Sequence, residues 1–379
     1  MTYSFEVGPY RPPSEAYSLL IRATRYCSWN RCKFCCMYKN NKFEYRPVAE
    51  IKQDIATVKA IQDKITEMAW QAGRGGAGTQ EMAASAFNSA PSESFRNVAL
   101  WLYAGGETVF LQDSNSIIMR THELSEVIRF LKETLPTVNR ITSYGRSDTA
   151  ARKKVEELAE LHEAGLSRLH IGLETGYDPL LEYIDKGVTA ARHIKGGRNV
   201  VESGISLSEY VLLGLGGKEM WREHATETAR VLNEIDPDFI RIRTLTLRED
   251  MPLYDEAASG DFIRATDDDI VAEERLLIEN LNCHSNYVSD HITNLFQEIE
   301  GKLPDDKEKM LAVIDSYLAL SKADKINFRL GRRAGIYTRL DDMEEPHKRE
   351  TVDDIVHRVT KDGNQLDEEI IYTLMQRFI

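Results

Sequence analysis

Three of the five cysteines fall within nine residues, Cys27-Ser28-Trp29-Asn30-Arg31-Cys32-Lys33-Phe34-Cys35, spaced C-x4-C-x2-C. A fourth, Cys36, follows at once, and Cys283 is far along the chain. An apolar, β-like run, Tyr17 to Ala23, leads into this loop, and a helical pattern from Pro47 to about Thr66 leaves it. Three thiolates on one short loop can bind three irons of a 4Fe–4S cube and leave the fourth iron open. A structural zinc would need a fourth ligand placed to close a tetrahedron, and Cys36, adjacent to Cys35, is poorly aimed for that. An odd cysteine count in a long chain argues against a disulfide framework.

The loop resembles the cluster loop of the radical S-adenosylmethionine (SAM) superfamily, in which the more usual spacing is C-x3-C-x2-C and an aromatic, here Phe34, precedes the last cysteine. This chain has one residue more between Cys27 and Cys32. The resemblance spans roughly residues 15–295 and is nearest to the branch holding oxygen-independent coproporphyrinogen oxidases and methylthiotransferases. It implies an α/β fold, a partial (β/α)6 barrel, with Cys27, Cys32 and Cys35 as ligands of a 4Fe–4S cluster. It also implies SAM as second cofactor and an electron donor such as flavodoxin or ferredoxin.

Six rounds of strand and helix pattern follow, which calls for parallel strands with right-handed crossovers. Two segments compete for the SAM ammonium group. Gly105-Gly106-Glu107 matches the family's G-G-E literally, but Val98 to Ala104 reads as a helix end with Gly105 as its cap. Thr108 to Leu111 is the better strand, and it ends in Gln112-Asp113-Ser114-Asn115, so Asp113, Ser114 and Asn115 are the favoured acceptors. An amphipathic helix over Thr121 to Leu135 and a strand over Arg140 to Tyr144 come next. Arg146 suits the SAM carboxylate, because a guanidinium fork matches it. A helix is expected over Ala150 to Ala164 and a strand over Arg168 to Glu174.

Gly172-Leu173-Glu174-Thr175-Gly176, with Lys186-Gly187-Val188-Thr189 after it, resembles the branch's G-x-E-S-G segment, and by that resemblance Glu174 binds SAM. His170 shares the parity of Glu174 and is a candidate proton donor, although a lone strand histidine is more often a core residue. The strand Ser206 to Leu213 ends in a glycine turn at Gly214, which the resemblance places against the adenine, with Ser208 facing the same interior. In the last strand, Asp238 to Leu245, Arg241 and Arg243 alternate with isoleucines. Two buried guanidiniums need anions, either on a substrate or as internal partners among Glu174, Glu209 and Asp113. Tyr144, Arg241 and Arg243 are the candidate substrate residues.

The organisation read from the sequence is an N-terminal arm (1–14), the partial barrel (15–300) and a charged helical extension (301–379). Within the barrel, residues 71–94, rich in Gly, Ala and Ser, are expected as a flexible insertion. Acidic residues outnumber basic ones, 61 to 48, for a net charge of -13, which speaks against a broad nucleic-acid surface. No apolar run reaches membrane-spanning length and the first residues lack a leader pattern, so a cytoplasmic location is expected. No cobalamin-binding domain and no second cluster motif are evident. The function expected is reductive SAM cleavage and hydrogen abstraction from a small anionic substrate. The alternatives are an RNA- or peptide-modifying radical SAM enzyme and a non-catalytic iron–sulfur protein. Cys27→Ala, Cys32→Ala and Cys35→Ala are each expected to abolish cluster assembly, with Cys36→Ala and Cys283→Ala retaining it. Iron content and visible absorbance of the five variants check the assignment.

Overall fold

The structure, a computed structural model, describes residues 3–75, 79–360 and 368–376. The chain is α/β, with parallel strands alternating with helices in the manner of a partial (β/α)6 barrel, and with helices after the last strand. It divides into two compact units.

The first unit comprises Met1–Asn30, Tyr38–Ile171 and Lys195–Leu207. Besides a short antiparallel pair, Thr24–Arg25 with Glu44–Tyr45, its main strands are β1 (Leu19–Arg22), β2 (Thr108–Gln112), β3 (Arg140–Gly145) and the first part of β4 (Leu166–Glu174). These main strands pair in parallel, with Leu20 opposite Phe110, Phe110 opposite Thr142 and Tyr144 opposite His170. Helices α1 (Val48–Gln71), α2 (Thr79–Asn88), α3 (Glu93–Tyr103), α4 (Thr121–Thr134), α5 (Ser147–Arg152) and α6 (Val155–Ala164) belong here. Because strand side chains alternate, Leu19, Ile21, Val109, Leu111, Ile141, Leu169 and Ile171 form one apolar face, all at most 1% exposed. The opposite parity carries polar groups, and the N-terminal arm covers it. Gly8 and Tyr10 bind the Gln112 amide, Ser18 donates to Thr108 Oγ1 (2.8 Å), and Glu15 accepts from Arg140 (3.0 Å).

Two stretches carry local structure beyond their sequence pattern. The stretch 71–94 contains α2 and the start of α3, with residues 76–78 outside the described ones. Alanine is the strongest helix former, and Ala83 and Ala86 are buried. Ser92 caps α3 by accepting from the Phe95 N–H, while Ser94 takes the N–H of Phe5 in the arm. The single helix expected over Ala150 to Ala164 is two helices, α5 and α6. Lys153 and Lys154 leave the helical conformation because Lys153 Nζ is drawn to Thr121 Oγ1 and the Met119 carbonyl, and Asn199 takes the carbonyls of Ala150 and Lys153.

The second unit comprises Arg31–Met37, Gly172–Ile194 and Ser208–Ile379. It holds the end of β4, most of β5 (Ser206–Leu213), β6 (Phe239–Thr244) and β7 (Asn286–Val288), with Tyr210 opposite Arg241 and Arg241 opposite Val288 in parallel register. Helices α7 (Asp178–Tyr183), α9 (Trp221–Ile235), α10 (Pro252–Ser259) and α11 (Asp267–Asn280) belong to it; α8 (Ala190–Glu202) begins in it. Helices α12 (Lys307–Leu318), α13 (Lys322–Arg333), α14 (Pro346–Thr360) and α15 (Glu368–Gln376) complete it, so the helical extension is not a compact unit of its own. Phe296, Tyr317, Phe328 and Tyr337 pack ring against ring, and Arg332 and Arg333 on α13 donate to the carbonyls of Thr293, Asn294 and Leu295. Among the described residues no helix is long and apolar enough to cross a membrane.

The arm is packed rather than merely adjacent: a Cβ on Gly8 would overlap Asp113 Oδ1 and approach the Gln112 side chain. Gly8→Ala is therefore expected to destabilise the protein by about 1–3 kcal/mol, the usual range for overpacking. Denaturant unfolding of the two proteins measures it, and an unchanged midpoint would contradict this packing.

Candidate active site

In the first unit, the start of the cysteine loop is built on one carboxylate. Asp113 follows β2, and its Oδ2 accepts from Arg22 Nε (2.9 Å), Arg22 Nη2 (2.6 Å) and the Tyr26 N–H (2.8 Å). Its side chain has no exposure. Arg22 also reaches Glu6 in the arm (2.9 Å), which Arg25 grips at 2.8 and 2.6 Å. The Arg25 hydrogen bond, outweighing burial, together with the Arg46, Arg25 and Arg22 charges, holds the Glu6 carboxyl below its ordinary value. Tyr26 and Asn30 adopt left-handed backbone, φ 68° and 54°, a conformation that non-glycine residues keep only when their surroundings impose it. The Asp113 carboxylate imposes it at Tyr26. Asn30 is held through its side-chain amide, which donates to the carbonyls of Tyr38 (2.6 Å) and Asn41 (3.1 Å).

Cys27 lies between those two positions. Burial would raise its pKa, but the Trp29 N–H, the Ser114 hydroxyl, the Asn30 N–H and the Arg146 charge outweigh it and favour the thiolate. The Ser114 hydroxyl also lies 3.1 Å from the Tyr26 carbonyl oxygen, the alternative acceptor for its one proton. Asn115 is fully buried; it donates to Ser28 Oγ and Thr149 Oγ1 and accepts the Arg146 N–H. The Arg146 guanidinium lies 5.4 Å from the Trp29 ring centre. Asp113, Ser114, Asn115 and Arg146 thus gather around the loop, with Asp113 already committed to Arg22.

In the second unit, the loop's other half is clamped from two sides. The Lys33 N–H donates to the Ile184 carbonyl (2.9 Å) and the Lys33 carbonyl accepts from the Leu253 N–H (3.0 Å). Lys33 Nζ pairs with Glu256 at 2.7 Å and lies 4.5 Å from the Tyr183 ring centre, while the Tyr183 hydroxyl donates to Glu256 at 2.5 Å. Phe34 packs on the cluster of Leu180, Ile184, Leu215, Leu245, Leu247, Leu253 and Phe262. The Cys35 N–H donates to the Cys32 carbonyl (3.3 Å). All five cysteines are free thiols. Burial, with Asp250 adding to it at Cys36, pushes the thiols of Cys36 and Cys283 up, opposite to Cys27. The chemistry at Cys27 thus suits a metal-binding thiolate, and that at Cys36 and Cys283 does not.

Glu174, the last residue of β4, has φ 63° and pairs with Lys186 (2.9 Å), whose ammonium sits 5.4 Å from the Phe34 ring centre. A Cβ on Gly172 would overlap Glu174 Oε1, so the glycine leaves room for this carboxylate. Gly214 has φ 79°, and its N–H is taken by Glu273 (3.1 Å), which also contacts His224 (3.1 Å). His224 in turn meets Thr175 Oγ1 (2.8 Å) and the Leu212 carbonyl (3.2 Å). The Ser208 hydroxyl is fully buried with no hydrogen-bond partner among the described residues. Arg241 and Arg243 both pair with Asp290, at 2.6 and 2.8 Å, rather than with Glu174, Glu209 or Asp113.

In the first unit, Tyr144 packs edge-on against Phe110 (5.0 Å) and His170 (6.1 Å). His170 is fully buried, with Nε2 3.7 Å from Glu15. That is the setting of a core histidine, the more frequent place of a lone strand histidine.

Sequence reasoning missed Glu6, Lys33, His224 and Glu273, and the pairing of Asp290 with Arg241 and Arg243. Each acts through a partner far away in the chain, which no local spacing announces. Lys186 stood inside a recognised segment, but its pairing with Glu174 did not follow from it.

The model of the family described as the Radical SAM superfamily matches residues 21–229, more than half of the 379-residue chain. A curated relative, tRNA uridine(34) acetyltransferase of Methanocaldococcus jannaschii, is 25% identical over 118 residues, which is 31% of this chain and 21% of the relative. The match therefore spans about a fifth of that protein. Among solved structures, the radical S-adenosylmethionine methyltransferase TsrM from Kitasatospora setae, with cobalamin and a [4Fe-4S] cluster bound, is 17% identical with a TM-score of 0.43, over 64% of this chain and 37% of that one. Methylornithine synthase (PylB) is 15% identical with a TM-score of 0.43, over 78% and 68%. Likeness at this level carries no function across. The family match, which takes in the end of β1, the cysteine loop and β2 through β5, stands without it: the chain belongs to the radical SAM superfamily.

Proposed function

We propose that the chain reductively cleaves SAM and abstracts hydrogen from a small, anionic substrate. The superfamily's cofactors, a 4Fe–4S cluster and SAM, are those of this chain. The observation that supports the reading is a loop whose Cys27, Cys32 and Cys35 are spaced as three ligands, with Cys36 poorly aimed to serve as a fourth. The cluster, when bound and reduced by a donor of the flavodoxin or ferredoxin class, supplies the electron that breaks a sulfur–carbon bond of SAM.

The chain's own residues do the holding. Cys27, Cys32 and Cys35 bind iron. Ser114, Asn115, Arg146 and Glu174, with Ser208 and the backbone turn at Gly214, hold SAM, and Phe34 packs the loop beside it. Glu174 reaches SAM by sharing its carboxylate between Lys186 and the ligand. Asp113 supports the site by fixing Tyr26. Tyr144, Arg241 and Arg243 face the substrate.

A second reading, modification of an RNA, draws on the tRNA-modifying relative, and on that alone. The acidic balance of the chain weighs against it. Retention of the protein on tRNA that weakens steeply with salt would favour it.

Reduced, reconstituted protein is expected to convert SAM to methionine and 5′-deoxyadenosine. Its absence from protein with full iron content would return the chain to a non-catalytic role. Glu174→Ala is expected to weaken SAM binding about tenfold, near the worth of one charge-assisted hydrogen bond, with iron content unchanged. Equilibrium binding and iron analysis on the same samples check both halves.

A further inference from the structure

We infer that Arg241, Arg243 and Asp290 form an anion-exchange site, in which the Asp290 carboxylate is a resident counter-ion that a doubly charged anionic group of a ligand replaces. The inference rests on the reading of an anionic substrate and narrows it to a phosphate monoester or a pair of neighbouring carboxylates.

The site follows from strand geometry. Alternation along β6 puts Ile240 and Ile242, both with no exposure, on one face and the two guanidiniums on the other. Asp290 stands two residues beyond the end of β7, which runs parallel to β6, so it comes alongside the carboxyl end of β6. In open parallel sheets, that is the end where ligands bind. Asp290 Oδ2 accepts from Arg241 Nη1 and Oδ1 from Arg243 Nη1.

Charge and donors are both left over. Two guanidiniums against one carboxylate leave one positive charge in a region where the arginine side chains are 7% and 14% exposed. The neighbouring His291 adds no charge at neutral pH, since burial and then the Arg243 charge lower it to about 4. Arg241 Nε and Arg243 Nη2 are buried without a hydrogen-bond partner among the described residues. Native structures seldom leave such donors unmet, and a buried charge without its counter-charge is costly. A single carboxylate in place of Asp290 would reproduce the same deficit; a dianionic group balances both arginines and can use the spare donors.

Asp290 is placed to yield. It belongs to no helix or strand, and it is the most exposed of the three side chains at 28%. Its flanks are fixed independently: Ser289 accepts from Asn294 Nδ2 (2.9 Å), Asn294 accepts from Thr244 (3.1 Å), and His291 pairs with Thr293 (2.6 Å). The guanidiniums stay in place because Arg243 lies over the Tyr210 ring (4.8 Å) and Arg241 over Phe239 (5.6 Å). The carboxylate can therefore turn outward without moving the frame.

Calorimetry on the full chain without cluster or SAM tests this, with inorganic phosphate, succinate and acetate as probes. Phosphate or succinate is expected to bind at least tenfold more tightly than acetate. Binding of phosphate alone identifies a phosphate ester, and of succinate alone a dicarboxylate. Asp290→Asn is expected to tighten the preferred probe about tenfold, and Arg243→Gln to remove it. If Asp290→Asn melts too low for calorimetry, the rise in its melting temperature with the probe, larger than in the unaltered protein, is the readout. Equal weak binding of all three anions, no gain in Asp290→Asn, or full binding by Arg243→Gln overturns the inference. Because SAM is absent, these outcomes are independent of whether the protein cleaves SAM.

Discussion

A carboxylate with no exposure, Asp113, bridges a strand arginine and a backbone N–H in the cysteine loop, and the site depends on that bridge. Buried ion pairs add little net stability, because desolvation offsets the attraction, but removing one partner costs about 3–5 kcal/mol. Their use here is geometric. The Tyr26 N–H is tied to the carboxylate, so Tyr26 takes its left-handed conformation and Cys27 is delivered into a nest of donors: the Trp29 and Asn30 N–H groups, the Ser114 hydroxyl and the Arg146 charge. Glu6 extends the same charge network into the arm, which makes the first residues of the chain part of the loop's foundation.

The second half of the loop is held by different means. Backbone hydrogen bonds from Lys33 to α10 and to the residue after α7, and the Lys33–Glu256–Tyr183 contact, fix Phe34 on its apolar cluster. Farther along, a glutamate and a histidine fix the turn at Gly214, leaving its N–H occupied by Glu273. Glu209, fully buried and with neither oxygen hydrogen-bonded among the described residues, is pushed by burial well above the carboxylate range. No role follows for it from the contacts described.

Much of the fold was legible because it depends on local pattern. The strand at Ser206 to Leu213 was read at its observed bounds, and the helix ahead of Pro136 to within a residue, since apolar periodicity and a proline stop suffice. The turn at Gly214, with its φ of 79°, was legible from glycine placement. What escaped depends on distance in sequence. Arg22 meets Asp113 across 91 positions, and Arg241 meets Asp290 across 49. The acceptors at Asp113 were read as free for a ligand because nothing near them shows that Arg22 takes the first. The helix within the alanine-rich stretch, with Ala83 and Ala86 buried, was not legible because its glycines drew the reading toward a loop.

The central claim is that three protein sulfurs leave one iron for SAM. Electron paramagnetic resonance of the reduced protein, purified without oxygen, tests it most directly. Addition of SAM is expected to shift the cluster signal, with methyl-labelled SAM showing coupling to the cluster. A signal indifferent to saturating SAM, with every iron capped by a protein ligand, would contradict the account.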